Sequence, residues 1–217
     1  MVSKMNIAII DYGSGNIRSA FKALERARND LNIIGSVQVV DKPKDVDQAT
    51  HIILPGVGAF GDCIRALNNL EGMREALDKA VIREGKPFLG ICVGMQLLSK
   101  LGIEFGEHSG LGWLNSKVIP IEPTHPDMKI PHMGWNDITI SKTHPIFEGI
   151  SNGDHVYFVH SYHMSCKNKQ DIIATVNYGF PVVAAVGKEN IVGVQFHPEK
   201  SQVKGLKCLQ NFIKWRP

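Results

Sequence analysis

Residues 86–98 read KPFLGICVGMQLL. The first part, KPFLGIC, is a short apolar run opened by proline and reads as a buried strand. The second part, GMQLLSKLG (94–102), is compatible with a helix. Between them sits Cys92, with Gly90 and Gly94 two residues to either side. This G-x-C-x-G spacing predicts a sharp strand-to-helix elbow, because glycines let neighbouring backbone approach without clash. An elbow sets its central side chain at a helix N-terminus, where free N–H groups and the helix dipole favour a thiolate. It also lies at the carboxyl end of a strand, where parallel sheets bind ligands. A cysteine in an apolar run is otherwise an ordinary small hydrophobe. The elbow alone leaves Cys92 open between packing and chemistry.

Outward from this stretch the chain alternates strand and helix patterns. MNIAIIDYG (5–13) reads as a buried strand ending in a turn, and NIRSAFKALERA (16–27) has apolar residues at helical spacing. SVQVVDKP (36–43) and ATHIILPG (49–56) read as strands closed by Pro43 and Pro55. CIRALNNLEGMREALDKAVIREG (63–85) is helical in pattern, with Gly72 a break point. The alternation predicts a mostly parallel central sheet flanked by helices, an α/β fold.

The second half differs. Residues 111–165 hold many glycines, prolines and histidines with short β runs such as HVYFVHSY (155–162). DIIATVNYG (171–179) and PVVAAVGKENIVGVQFHPE (181–199) read as strands, with GKEN (187–190) a hairpin turn. GLKCLQNFIKW (205–215) closes the chain as an amphipathic helix. A smaller antiparallel portion is therefore expected beside the parallel one. Without repeats, low-complexity tracts or a linker, residues 1–217 read as a single domain.

Bulk properties remove several functions. The 217 residues are 43% hydrophobic and 21% charged with a net charge of +3, an ordinary globular composition. No long basic run marks a nucleic-acid surface. The N-terminal apolar run stops at Asp11, too short for a secretory core, and no run spans a membrane. A cytoplasmic location is expected. Cys63, Cys92, Cys166 and Cys208 form no CxxC pair and no disulfide framework. His160 and His163 of HSYH lack a further ligand at metal-site spacing, so no metal is expected.

A nucleophilic cysteine needs a base and an orienting group. FHPE (196–199) offers both in His197 and Glu199. At the end of an apolar strand, side chains two apart share one side, and Pro198 would end the ladder there. An isolated HPE is also an ordinary surface pair at a strand end. A third piece is ILPGVGAFGD (53–62), a strand end followed by a glycine-rich loop. It is either a plain turn or a set of backbone N–H groups aimed at an oxyanion.

Together, PGVGAF (55–60), LGICVGMQLL (89–98), FVHSY (158–162) and GVQFHPEKS (193–201) resemble the class I glutamine amidotransferases of the Cys-His-Glu type. IIDYGSGNIRS (9–19) and PHMGWN (131–136) resemble the branch of that family that supplies ammonia to imidazole glycerol phosphate synthesis. The resemblance spans nearly the whole chain, apart from a leading MVSK that reads as a dispensable overhang. It implies a flavodoxin-like fold and a glutaminase that needs no cofactor and no metal. Cys92 would attack the carboxamide of glutamine, His197 would move the proton, and Glu199 would orient His197. Oxyanion donors would come from Val93 and from the Gly56, Val57, Gly58 loop, in which one peptide flip could aim or withdraw an N–H. The hypothesis is that the Val57 N–H points away from the site when no ligand is bound. Gln96, Ser161 and Tyr162 would grip the substrate.

The resemblance further implies a heterodimer with a (β/α)8-barrel cyclase that receives the ammonia. Asn16 and Trp135 are the interface candidates. From residues alone, Asn16 sits in a glycine-bearing turn and Trp135 fits a core as well as an anchor. Two alternatives remain at this point. One is a paralogous subunit feeding a related cyclase for amidino-sugar synthesis. The other is a non-catalytic binding module on the same fold.

Overall fold

The computed structural model describes residues 4–217, so most of the leading MVSK lies outside the described residues. The first four strands are β1 (Met5–Ile10), β2 (Gly35–Val40), β3 (His51–Gly56) and β4 (Phe88–Cys92). Short strands β5 (Leu101–Gly102) and β6 (His108–Ser109) precede β7 (Ser116–Pro120), β8 (His132–Ile140), β9 (His155–His160) and β10 (Tyr162–Cys166). The last three are β11 (Ile172–Asn177), β12 (Pro181–Lys188) and β13 (Ile191–Val194).

Nine of these strands form one sheet in the order β2-β1-β3-β4-β13-β12-β11-β8-β9. From β2 to β13 every neighbouring pair is parallel; from β13 to β9 every pair is antiparallel. The expected antiparallel portion is thus a continuation of the same sheet. A second, four-stranded sheet has the order β10-β7-β5-β6. In β1, β3 and β4 nearly all residues are buried, as continuous apolar strands covered on both faces should be.

The helices are α1 (Ile17–Asp30), α2 (Pro43–Asp47), α3 (Phe60–Asn69), α4 (Met73–Leu77), α5 (Val93–Gln96) and α6 (Gln202–Lys214). Helix α1 buries Ala20, Leu24 and Ala27, a stripe at helical spacing, and packs on α6. Gly72, at φ +75°, separates α3 from α4 as its place in the sequence suggested. Among the described residues no helix is long and apolar enough to cross a membrane.

Four local expectations are corrected. Pro43 opens α2 as its first residue, where a missing N–H costs nothing. Pro55 lies inside β3; pairing with β1 stops at Ile53, so beyond it the strand has β4 as its paired neighbour and tolerates a proline. The helix after the elbow is one turn only. Leu97 O and Leu98 O accept from Leu111 N (2.7 Å) and Leu114 N (2.9 Å), so these tertiary bonds replace the next helical turn. Finally, β13 ends at Val194, and His197 leads into a 3₁₀ turn over Pro198–Lys200. His197 and Glu199 therefore do not share a strand face.

Because β1, β3, β4 and β13 run parallel, their carboxyl ends gather on one edge. The loop after β1, the PGVG loop, the elbow and the FHPE segment meet there.

Candidate active site

The elbow is built from backbone approach. Cys92 has φ +55° and ψ −112°, a conformation that a residue with a Cβ holds only when its surroundings enforce it. A Cβ on Gly94 would sit 1.8 Å from Leu54 O, and one on Gly90 would sit 2.6 Å from Gly94 O. Gly56 is equally constrained: its Cβ would meet Tyr12 Oη at 2.6 Å and Gly94 N at 2.8 Å. Three glycines thus let β3, β4 and α5 close around the cysteine. Cys92 is buried, and its sulfur accepts from Gln195 Nε2 at 3.7 Å.

His197 Nδ1 lies 2.8 Å from Glu199 Oε1, with both side chains buried. The 3₁₀ turn makes this contact, with backbone on either side fixed. His197 N donates to Tyr157 O (2.9 Å), and Ser201 Oγ donates to His197 O (2.6 Å). The other ring nitrogen, Nε2, is buried without a hydrogen-bond partner. Burial alone would lower the imidazole pKa, but the adjacent Cys92 and Glu199 outweigh it and carry it up to about 10. A carboxylate-oriented imidazole beside a strained thiol has the parts of a nucleophile with its base.

These groups open on a cavity of about 290 Å³, at the small end of ligand pockets. Of the residues singled out in the sequence, Val57, Gly58, Cys92, Val93 and Gln96 line it. So do Ser161, Tyr162 and His197. Gly56 and Glu199 stand behind the wall. The loop is tied back through Val57 O, which accepts from Ser14 Oγ (2.5 Å) and Cys63 Sγ (3.4 Å). Tyr12 Oη donates to Pro55 O at 2.8 Å, and burial, with Cys63 nearby, raises the Tyr12 phenol well above its usual range.

Glu104 and His160 also line the cavity and were not singled out for a role there, nor was Gln195 beside Cys92. Glu104 Oε2 accepts from Phe60 N at 2.7 Å, capping α3, whose own N-cap residue is Ala59. The missing local cap in PGVGAF is a signal that a distant acceptor exists, although it does not name Glu104.

Asn16 caps the start of α1 by position, outside the cavity. Trp135, on β8, is 46% exposed, with its ring edge-on to Tyr157 at 6.1 Å. Met133 and Ile130 are exposed beside it in sequence. The core reading of Trp135 is thereby set aside.

The sequence model of the class-I glutamine amidotransferases matches residues 8–215. The chain belongs to that family. Two curated relatives carry the name imidazole glycerol phosphate synthase subunit HisH. The protein from Agrobacterium fabrum is 51% identical over 98% of this chain and 100% of its own length. The one from Rhodospirillum rubrum is 50% identical over the same shares. Among solved structures, one described as a glutamine amidotransferase matches with a TM-score of 0.70 at 19% identity, over 95% of this chain and 97% of that one. A glutamine amidotransferase from Thermotoga maritima matches with a TM-score of 0.65 at 17% identity, over 90% and 76%. As a class-I glutamine amidotransferase the chain is an enzyme.

Proposed function

We propose that this chain is the glutaminase subunit of an imidazole glycerol phosphate synthase, acting in histidine biosynthesis. The observation that carries the reading is the meeting, in one small cavity, of the strained Cys92 with the buried His197–Glu199 pair. HisH relatives identical at about half of all positions supply the pathway.

Glutamine enters with its carboxamide at Cys92. The sulfur attacks the carboxamide carbon while His197 holds the proton lost by the thiol. Glu199, 2.8 Å from Nδ1, steadies that proton on the ring until the C–N bond breaks and it leaves with ammonia. The thioester on Cys92 is then opened by water, with His197 as base, to give glutamate and the free thiol. N–H groups of Val93 and of the Val57–Gly58 loop hold the oxyanion. Gln96, Ser161 and Tyr162 grip the substrate, and the Glu104 carboxylate suits its ammonium group.

Ammonia set free in water would be protonated and lost as a nucleophile, so it passes to a partner. We assign that role to a (β/α)8-barrel cyclase making imidazole glycerol phosphate and aminoimidazole carboxamide ribotide, in a heterodimer. The exposed Trp135 and the Asn16 loop are the candidate contact points. The chain is read as one domain, 1–217, supported by a single sheet joining strands from Met5 to Val194. A cytoplasmic location is supported by four cysteines that are all free and buried.

The test is glutamine hydrolysis by the chain co-purified with a candidate cyclase, with the cyclase nucleotide present and absent. Hydrolysis that rises with the nucleotide is expected. Absence of hydrolysis in the complex under both conditions would overturn the reading.

A further inference from the structure

A continuous chain of hydrogen bonds runs along one side of the cavity, and its direction is fixed at every link. Asn136 on β8 accepts from Asp137 N through Oδ1 at 2.9 Å. Its amide nitrogen is therefore the donor, to Asn177 O at 3.1 Å and to His132 Nε2 at 3.2 Å. Neutral His132 then carries its proton on Nδ1 and donates to His160 Nε2 at 3.0 Å. His160 carries its own proton on Nδ1 and donates to Tyr162 O at 2.9 Å. That carbonyl accepts a second hydrogen from Gln96 Nε2 at 3.1 Å. Gln96 Nε2 also donates to Gln195 Oε1 at 3.1 Å, which leaves Gln195 Nε2 to reach the Cys92 sulfur at 3.7 Å. Reversing any link would set acceptor against acceptor or donor against donor.

The chain is also held sterically. His132 and His160 are cross-strand partners on β8 and β9. The His132 ring is stacked between Tyr178 (4.0 Å) and Phe158 (4.7 Å). Burial keeps both imidazoles neutral, His132 at about 4 and His160 at about 3. Both amide hydrogens of Gln96 are committed inside the protein. Its Oε1 has no hydrogen-bond partner among the described residues, so Gln96 meets the substrate as an acceptor. It therefore suits a group bearing N–H, either the ammonium or the carboxamide nitrogen of glutamine.

We propose that His160, held by His132, is a positioning residue for glutamine: it fixes the Tyr162 carbonyl and so locks Gln96 with its oxygen toward the substrate. This rests on the glutaminase reading and adds to it a residue that touches none of the reacting atoms. Without the His160 hydrogen, the Tyr162 carbonyl is free to turn and Gln96 is free to flip.

Two variants separate the two ends of His160. His160→Asn keeps a donor at the Nδ1 position; His160→Gln keeps a polar group at the Nε2 position and loses the donor to Tyr162 O. In the complex with the cyclase, His160→Gln is expected to raise KM for L-glutamine about tenfold, the worth of one buried hydrogen bond, with kcat within about twofold. His160→Asn is expected to stay within about threefold of the unaltered KM. Equal KM values in all three proteins, or a loss confined to kcat, would overturn the proposal. Nitrogen-15 NMR of the unaltered full chain at pH 7 needs no variant to fold. It should find His132 and His160 both as neutral Nδ1–H tautomers, and an Nε2–H tautomer at either would overturn the proposal. Absence of hydrolysis by the unaltered complex would instead refute the glutaminase reading, with the tautomers still reporting on the chain itself.

Discussion

The two walls of the cavity are made of different material. Behind the wall from the parallel half lies backbone against backbone: Gly56, Gly90 and Gly94 stand where no side chain fits, and they hold Cys92 at its positive φ. The wall that meets it from the antiparallel half carries His160, which is backed by His132 and the Tyr178 ring and joined through the Tyr162 carbonyl to Gln96 and Gln195. Cys92, the proposed nucleophile, is thus set by contacts that admit no substitute. The proposed grip on substrate is set by hydrogen bonds that can weaken one at a time. The first wall should fail outright when altered, and the second should fail by degrees.

The sharpest break in this comparison is Gly94→Ala. Its Cβ would lie 1.8 Å from Leu54 O, a backbone atom that cannot swing aside. At least about 3 kcal/mol of stability should be lost, near 6–12 °C in melting temperature for a chain of this size. Glutamine hydrolysis should vanish with it. Thermal melting and activity measured on the same preparation check this; an active variant of unchanged melting temperature would erase the distinction between the walls.

A gentler probe is pH. Burial lowers His132 to about 4 and His160 to about 3. His51 and His144 are likewise lowered to about 4, each chiefly by burial. In the unfolded chain each would titrate near about 6.5. Below that pH the unfolded chain binds more protons than the folded one, so these four residues lose stability as pH falls from about 6.5 toward 4. His197 works the other way. Raised to about 10, it contributes fully below about 6.5 and its contribution is lost as pH rises through about 10. Melting temperature should therefore peak near neutral pH and decline on both sides, the acid side reporting on the buried histidines, His132 and His160 among them. A melting temperature that climbs steadily from pH 7 to 4.5 would contradict the neutral, buried state of these rings.

The same contrast explains what could be read from the sequence. The elbow was legible because its cause is local: two glycines at fixed distance from a cysteine. The parallel strands were legible as continuous apolar runs. The FHPE pair was found, but its strand placement was not, because the turn at Pro198 is set by His197 bonding to Tyr157 and Ser201. The helix after Cys92 was overextended because Leu111 and Leu114 compete for its carbonyls from far along the chain. Glu104, His160 and Gln195 escaped for a similar reason. Their partners Phe60, His132 and Cys92 lie 44, 28 and 103 residues away, beyond any local pattern.

The central claim is that Cys92, alone of four buried cysteines, is the nucleophile. The most direct measurement is mass spectrometry of the chain, in complex with its cyclase, after exposure to a glutamine analogue carrying a diazoketone in place of the carboxamide. One adduct is predicted, on Cys92, with Cys63, Cys166 and Cys208 unmodified and glutamine hydrolysis lost in step with labelling. Hydrolysis abolished while Cys92 remains unlabelled would contradict the account.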